Sequence, residues 1–558
     1  MLAIACTATL SLTAQDPPFP GGPGGFPGGP GGPGGPGGGP RSEDLKVLER
    51  FDADQSGRLD AAERKAAREW LASNRPQGRG MRGGPGGPGG MGGPGGPGGR
   101  EGGGRFLADA KGDTVAVDQA ATYADRDVWD PDVVRTIFVT FDHDDWYDEL
   151  TAFYRTDVQV GATVSIDGVT LPNVGTAFRG NTSFQMVRGK KKSWDLQFDW
   201  VDAKQSWRGI RNLDLINGNG DASFVREMLH GWVATQFFPA ARVALVRLVV
   251  NGEDFGIYAA VQQFDKEFLK DHFDTQKGDR WKVPPDFSGN GGLRYLGDEP
   301  DAYKRSYQIK SKDDPRAWQA LVDLCAALEY ASAEDLPRIL PQHLDVEGAL
   351  WFLAIDHVLA DDDGYYSRAS DYNLYRDPRG KFHLVPRDNN EILLARGARG
   401  PGGPGAVPGT SSEPPPSGPG GTGPGGPGPG GPGGRRGPGG PGGGTATTPL
   451  QGATRADRPL LRRLLEVPAW RERYLSNIRG ILDTALADAT VAERLNKWHD
   501  AIAPFVARDQ HSPYDAQAFE RCFAVDQDGK PAPGSLRAVI EQRRAAILGS
   551  PEMRAGGK

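Results

Sequence analysis

The sequence predicts an α+β fold in which strands come first and helices follow. From about 133 to 260, short β-branched and aromatic runs alternate with turn residues, whereas from 317 onward apolar residues recur at helical spacing. Tracts dominated by Gly-Gly-Pro, about 17–40, 77–104 and 396–446, separate the segments able to build a core. With 81 Gly and 46 Pro concentrated there, the folded part is smaller than 558 residues imply. The tracts have no side chains to bury and cannot offset the entropy of ordering them, so disordered linkers are expected. The strict Gly-X-Y period of collagen is not kept.

The stretch 1–14 is apolar with small residues before Gln15, which resembles the apolar core and cleavage site of a secretory signal without its basic start. It sets the expectation of an extracytoplasmic protein: secreted, periplasmic or on the cell surface. No later apolar run reaches the roughly 18 residues of a membrane span. Lys plus Arg number 65 against 72 Asp plus Glu, and the net charge of −7 gives no chain-wide attraction to nucleic acid. Beyond Cys6 only Cys325 and Cys522 remain. They form one disulfide or stay as two free thiols; spacing leaves both open.

Between the first two tracts lies a helical island, 42–75. Its loop, Asp52-Ala53-Asp54-Gln55-Ser56-Gly57-Arg58-Leu59-Asp60-Ala61-Ala62-Glu63, offers oxygen ligands from Asp52, Asp54, Ser56, Asp60 and Glu63, with a backbone carbonyl from Arg58. Gly57 stands at the sharp turn and Leu59 at the apolar position that faces a partner loop, as in a calcium-binding EF-hand. Helices are expected over Leu45 to Phe51 and Ala61 to Leu71. The competing reading is an acidic helix start. A second loop is missing: Asp526-Gln527-Asp528-Gly529 begins like one but has no Glu at the required offset.

Strands are expected over Thr136 to Phe141, Val158 to Ile166, Ala241 to Val250 and Phe255 to Val261, the last two joined around Asn251-Gly252, a strong hairpin signal. Gly175 to Ser183 reads as a Gly- and hydroxyl-rich turn before Lys190-Lys191-Lys192 and an alternating strand. Helices follow over Ala317 to Tyr330 and Val346 to Leu359, then a hairpin over Tyr372 to Tyr375 and Phe382 to Val385. Beyond the third tract come helices over Pro459 to Leu465, Trp470 to Leu486, Val491 to Val506 and Leu536 to Leu548.

Phosphoryl transfer needs cations around phosphates, oxygens holding magnesium and a carboxylate near the attacking hydroxyl. The strand half offers Lys191 and Lys192, although a Lys triplet also reads as a solvated surface run. The helical half offers Asp361-Asp362-Asp363-Gly364, Asn373 at a strand start and Asp388 at the end of the next strand. That order is the protein-kinase order of catalytic Asp, metal Asn and metal Asp. An acidic cluster equally reads as a calcium site or a solvated turn.

In succession, Gly180-Asn181-Thr182-Ser183, Lys191-Lys192-Ser193, Leu213 to Asn217, Asp221 to Arg226, Val249 to Glu253 with Gly256-Ile257-Tyr258, Asp363-Gly364, Tyr372 to Tyr375 and Val385 to Asp388 resemble the CotH (spore coat protein H) family of atypical kinases. The resemblance runs from about 133 to 395 and resumes from about 455. It implies a kinase-like two-lobed domain, with a core over 130–395, an insert over 396–446 and a helical remainder over 447–550, preceded by linkers 15–41 and 76–105 around the EF-hand. It implies transfer of phosphate from Mg-ATP to Ser/Thr hydroxyls of an unnamed protein substrate. Position by position, Lys192, or Lys191, would contact ATP phosphates. Asp363, with Asp361 as its rival, would lie near the attacking hydroxyl, and Asn373 and Asp388 would hold magnesium. Arg226 and Asp221 also match, where a structural salt bridge explains them as well. Two departures stand out: Asn390 where the family carries a second Asp, and Gln262-Gln263 where many members carry a Glu. They support an alternative, a catalytically inactive calcium-binding surface or matrix protein on the same fold. A nuclease or hydrolase at the acidic triplet has only the carboxylates in its favour.

Overall fold

Seven strands close into a barrel before the chain turns helical. They are β1 (Arg135–Thr140), β2 (Val160–Ile166), β3 (Val169–Arg179), β4 (Ser193–Gln197), β5 (Asn212–Ile216), β6 (Val243–Val250) and β7 (Glu253–Gln262). Neighbours run β1-β2-β3-β4-β5-β7-β6, all antiparallel except the closing pair, where β6 returns parallel to β1. The computed structural model describes residues 44–74, 110–187, 189–285, 288–394 and 448–555. The expected signal segment, both linkers and the 396–446 insert lie outside them. The chain divides after Asp44, and every described strand and helix belongs to the unit Leu45–Lys558.

Alternation along β2 sends Val160, Ala162, Val164 and Ile166 inward around Trp194, which is fully buried against Phe141, Trp146 and Phe178. Strands β6 and β7 read as continuous apolar runs because both of their faces are covered. Ala244, Val246, Leu248 and Tyr258 fill the barrel, while Val243, Leu245, Ile257 and Ala259 pack on the helical core. Their hairpin turns at Asn251 (φ 48°) and Gly252 (φ 80°), the positive angles that an Asn-Gly turn supplies.

A second antiparallel sheet, ordered β11-β10-β8-β9, consists of β8 (Asp279–Val283), β9 (Gln308–Ile309), β10 (Tyr372–Arg376) and β11 (Phe382–Pro386). The helix Val346–Leu359 is buried nearly all round, starts where the Asp345 carboxylate accepts the Gly348 N–H, and ends at Ala360 in the left-handed region (φ 51°). That exit delivers the acidic turn 361–364. Helices Pro459–Glu466 and Pro468–Asp483 pack against the helix Val346–Leu359, Arg543 of the helix Leu536–Leu548 donates to its Val358 and His357 carbonyls, and Pro315–Tyr330 and Asp488–Val506 share its apolar cluster. Cys325 and Cys522 are free thiols, so the disulfide alternative falls.

Two local expectations are corrected. Gly175 to Arg179 belong to β3, where Gly175 is needed because a Cβ would strike Gln159 and Trp200; the turn begins only at Gly180 (φ 93°). The first island helix covers Leu48–Phe51 alone, because the Leu45 N–H donates to the Arg155 carbonyl at 3.0 Å and its own carbonyl accepts the Asp157 N–H at 3.2 Å.

Lys191 joins the barrel to the C-terminal helical part. Its side chain and that of Asp509 are fully buried and form an ion pair, and the ammonium also donates to the Phe255 carbonyl at 2.7 Å. Asp509 occupies the space that a side chain at Gly256 would need. Removing one partner of such a pair leaves a buried charge uncompensated, at about 3–5 kcal/mol. We therefore expect Lys191→Met and Asp509→Leu each to lower unfolding stability by about that much, and the double variant to recover most of it, in a denaturant double-mutant cycle. Additive losses would contradict the pairing.

His230, 4% exposed on the helix Arg226–Ala234, is pushed by burial from an ordinary value of 6.5 down to about 3. Its folded pKa is below its unfolded one, so its contribution is full above pH 6.5 and is lost as pH falls toward 3, at up to about 1.4 kcal/mol per pH unit. Urea melts from pH 7 to 5 should show wild type losing stability relative to His230→Phe. Parallel pH slopes would contradict this.

Candidate active site

Strand ends on one side of the barrel bring their polar residues to a common place. Arg179 ends β3, and its guanidinium meets Asp214 of β5 at 2.7 Å. Asp214 lies directly across from Asp195 of β4, so two carboxylates face each other. Burial, then Asp214, raises the Asp195 carboxyl to about 7, against the pull of Arg179. The Gln263 amide, just beyond β7, donates at 2.9 Å to both carboxylates. A Glu here would add a third negative charge to this pair, which gives the Gln a local electrostatic reason.

The second sheet supplies the opposing groups. Lys282 of β8, Asn373 of β10 and Val385 of β11 stand in register across three strands and share one face. The neighbouring Arg387 guanidinium, then burial and Arg179, push the Lys282 ammonium down to about 7, with Asp388 opposing. Asp388 follows β11 in the left-handed region (φ 60°), and its carboxylate is 41% exposed. Surrounding protein draws it upward, but Arg387, Arg179 and Lys282 together outweigh that and hold it below the usual carboxylate range. Among these acids Asp388 is the one drawn below the usual carboxylate range.

The remaining acids are pushed the other way. Asp361 is 1% exposed; its carboxylate accepts the Asn389 amide at 2.7 Å and the Asp363 N–H at 3.1 Å. Burial raises it to about 7, with Asp363 and Asp388 adding to the rise. Asp363 is ion-paired with Arg368, and burial, with Asp388 and Asp362, raises it to about 6. Glu227, 6% exposed on the helix Arg226–Ala234, is raised to about 8 by burial, Asp388 and Asp361. Carboxylates crowded in a low dielectric are the surroundings in which a divalent cation relieves repulsion. Asp388, Asp363 and Asn373 each carry hard oxygen donors of the type that magnesium takes, whereas the one set of carboxylates converging within 4.8 Å among the described residues is Asp52, Asp54 and Glu63.

Lys191 and Lys192 are placed elsewhere. Lys191 is held by Asp509, and the Lys192 ammonium donates to the Phe184 carbonyl at 2.9 Å and to that of Val187. The cations that face Asp388 are Arg179, Lys282 and Arg387. Arg179 stands inside the Gly175 to Ser183 segment, but nothing local marks it out. Lys282 and Glu227 carry no motif, and only strand register and burial reveal them. Arg226 makes the structural bridge expected of it, to Asp221 at 2.8 Å, and also donates to the Ile392 carbonyl at 2.9 Å. Asn390 donates to the Asn219 carbonyl at 3.0 Å.

The 52–63 loop forms a second acidic cluster. Asp52, Asp54 and Glu63 bring carboxylate oxygens within 4.8 Å of one another. Gly57 (φ 76°) makes the sharp turn and donates to Asp52 at 2.8 Å. Ser56 donates its N–H to Asp52 at 2.9 Å and to Asp54 at 3.0 Å, while its hydroxyl donates to the Arg58 carbonyl at 2.9 Å. Asp60 and Glu63 cap each other, the Glu63 N–H reaching Asp60 at 2.8 Å and the Asp60 N–H reaching Glu63 at 2.9 Å. The converging oxygens fit a calcium-type cation.

Among the described residues no helix is long and apolar enough to cross a membrane. The chain is 24% identical to Invasin CotH7 of Rhizopus delemar over 285 residues, 48% of this chain and 42% of the relative. It is also 24% identical to Invasin CotH3 of the same organism over 207 residues, 36% of this chain and 34% of the relative. It thus spans less than half the length of these relatives. The family described as CotH kinase protein matches residues 176–547, which take in Arg179, Lys282, Asn373 and Asp388. The chain belongs to the CotH kinase protein family.

Proposed function

We propose that this chain is an exported atypical protein kinase that transfers the terminal phosphoryl group of Mg-ATP to Ser/Thr hydroxyls of a protein substrate. The observation that carries the reading is Asp388: a solvent-reachable carboxylate 3.6 Å from the Arg387 guanidinium, held below the usual carboxylate range by the fields of Arg387, Arg179 and Lys282, and itself adding to the rise of Asp361, Asp363 and Glu227. On this reading the barrel is the strand-rich lobe, and the second sheet with its helices is the other.

Magnesium, when bound, neutralises phosphate charge as it moves toward the leaving group. Asp388 and Asn373 would hold it. Arg179 and Lys282 would face phosphate oxygens, a role that passes to them because the Lys191 and Lys192 ammoniums are committed to Asp509 and to main-chain carbonyls. An incoming phosphate opposes the Arg387 field on Lys282 and favours its charged form. Asp363 would accept the proton as the substrate oxygen bonds to phosphorus and the bond to ADP breaks. Asp361, fixed by Asn389, positions that turn. The 52–63 loop would hold calcium through Asp52, Asp54, Ser56, Arg58, Asp60 and Glu63.

The test is phosphate incorporation from labelled ATP, into the chain itself and into Ser/Thr test peptides, with Mg-ADP binding by calorimetry. Asp388→Ala should abolish incorporation, and Lys282→Met and Arg179→Met should each lower it by about 10²–10³-fold. Lys192→Met should lower it far less wherever the variant folds. Absence of nucleotide binding in folded wild type would overturn the kinase reading and leave the inactive calcium-binding surface or matrix protein.

A further inference from the structure

EF-hands ordinarily work in pairs, each loop offering its apolar residue to the other. Leu59 occupies that position here, and it is 2% exposed within the same apolar cluster as the barrel residues Ile137, Val139 and Val160. Val47, Ala67 and Leu71, from the flanking segments, lie in that cluster too. The seat is also hydrogen-bonded. Leu45 bridges to Thr156, and the Asp157 carboxylate accepts the N–H groups of Val47 at 2.7 Å and Leu48 at 3.2 Å, capping the entering helix.

Charged contacts continue from the helix after the loop to the helix Trp146–Phe153 that follows β1. Arg64 donates to Glu149 at 3.0 Å and, through another nitrogen, to the Leu59 carbonyl at 3.1 Å, while Arg68 meets Asp145 at 2.6 Å. Arg58, whose carbonyl is a loop ligand, places its guanidinium 5.8 Å from the Trp200 ring. That indole lies over Gly161 and Gly175, where any Cβ would approach it to 3.0 Å or closer.

Glu149 belongs to the helix Trp146–Phe153, which reaches the end of β3 and the turn after it. Tyr147 meets Phe178 edge-on at 5.4 Å, Tyr154 stacks on Phe184 at 3.5 Å, and the Tyr154 hydroxyl donates to the Gly180 carbonyl at 2.8 Å. Arg179 sits between Phe178 and Gly180. The same short helix therefore touches the loop's anchor on one side and the Arg179 turn on the other.

We infer that the barrel takes the place of the missing second EF-hand, so that a calcium-type cation in the 52–63 loop staples the barrel and the turn carrying Arg179. This rests on the calcium reading of the loop. A cation that binds only the folded loop stabilises whatever unfolds with it, and a loop seated in the barrel core unfolds with the barrel. The cation strengthens a permanent joint, whereas a sensor hand would open a groove.

Hydrogen exchange followed by mass spectrometry on the full chain, in EDTA and in calcium, tests this, with calcium uptake measured by calorimetry. Calcium should slow exchange by about fivefold or more in peptides covering 146–157 and 169–187 as well as 45–74. Glu63→Gln should remove the slowing everywhere. Arg64→Met should keep calcium uptake and slowing in 45–74 but lose it in 146–157. Uptake with slowing confined to 45–74 would overturn the staple while leaving the calcium reading intact. No uptake by folded wild type would overturn both.

Discussion

A buried ammonium decides how the two halves of this protein meet. Lys191 leaves the barrel between β3 and β4 and ends against Asp509, 318 residues later. Neither charge reaches solvent, and each depends on the other for its compensation. The arrangement imposes conditions on its neighbours: Gly256 must lack a side chain, the Asn217 amide must hold the Lys191 carbonyl at 2.7 Å, and Tyr258 must offer its ring face to the ammonium at 4.8 Å. With this joint made, the barrel mouth and the second sheet hold the Arg179 and Asp388 groups in mutual reach. Lys191, the second choice within the basic triplet, thus serves architecture.

The site itself is a balance of opposite charges, most of them buried or half-buried around the exposed Asp388 carboxylate. Arg179 and Arg387 depress the Lys282 ammonium and keep Asp388 ionised, while burial and mutual repulsion push Asp361, Asp363 and Glu227 toward neutrality. Neighbouring carboxylates with opposed shifts acquire distinct tasks, one holding charge and the others ready to exchange a proton or accept a cation. Of the two departures from the family pattern, Gln262 turns to Asp271, donating to its carboxylate at 3.0 Å, and Asn390 secures the segment after Asp388 to the Asn219 carbonyl without adding charge; Gln263 beside the first bonds the Asp195 and Asp214 pair.

What the sequence made legible was local. The helices Val346–Leu359 and Leu536–Leu548 have the expected ends, because apolar periodicity and side-chain capping coincide there. The Asn251-Gly252 hairpin is also as expected, its turn angles being dictated by those two residues. Barrel closure was not legible, since the parallel β1 and β6 pair joins segments more than a hundred residues apart. Asp361, Asp363, Asn373 and Asp388 were singled out by their order and the family resemblance. Arg179, Lys282 and Glu227 were not, because their significance lies in which charges a strand register brings near them. Lys191 and Lys192 show the converse: a conspicuous motif whose side chains the fold commits to internal partners.

The central claim is that cation and phosphate meet at Asp388, between Arg179 and Lys282. The most direct measurement is a crystal structure of the chain with a non-hydrolysable ATP analogue and manganese, located by its anomalous scattering. The account requires a manganese peak within coordinating distance of Asp388 and phosphate oxygens against Arg179 and Lys282. Phosphates seated on Lys192, or a nucleotide bound with no metal at Asp388, would contradict it.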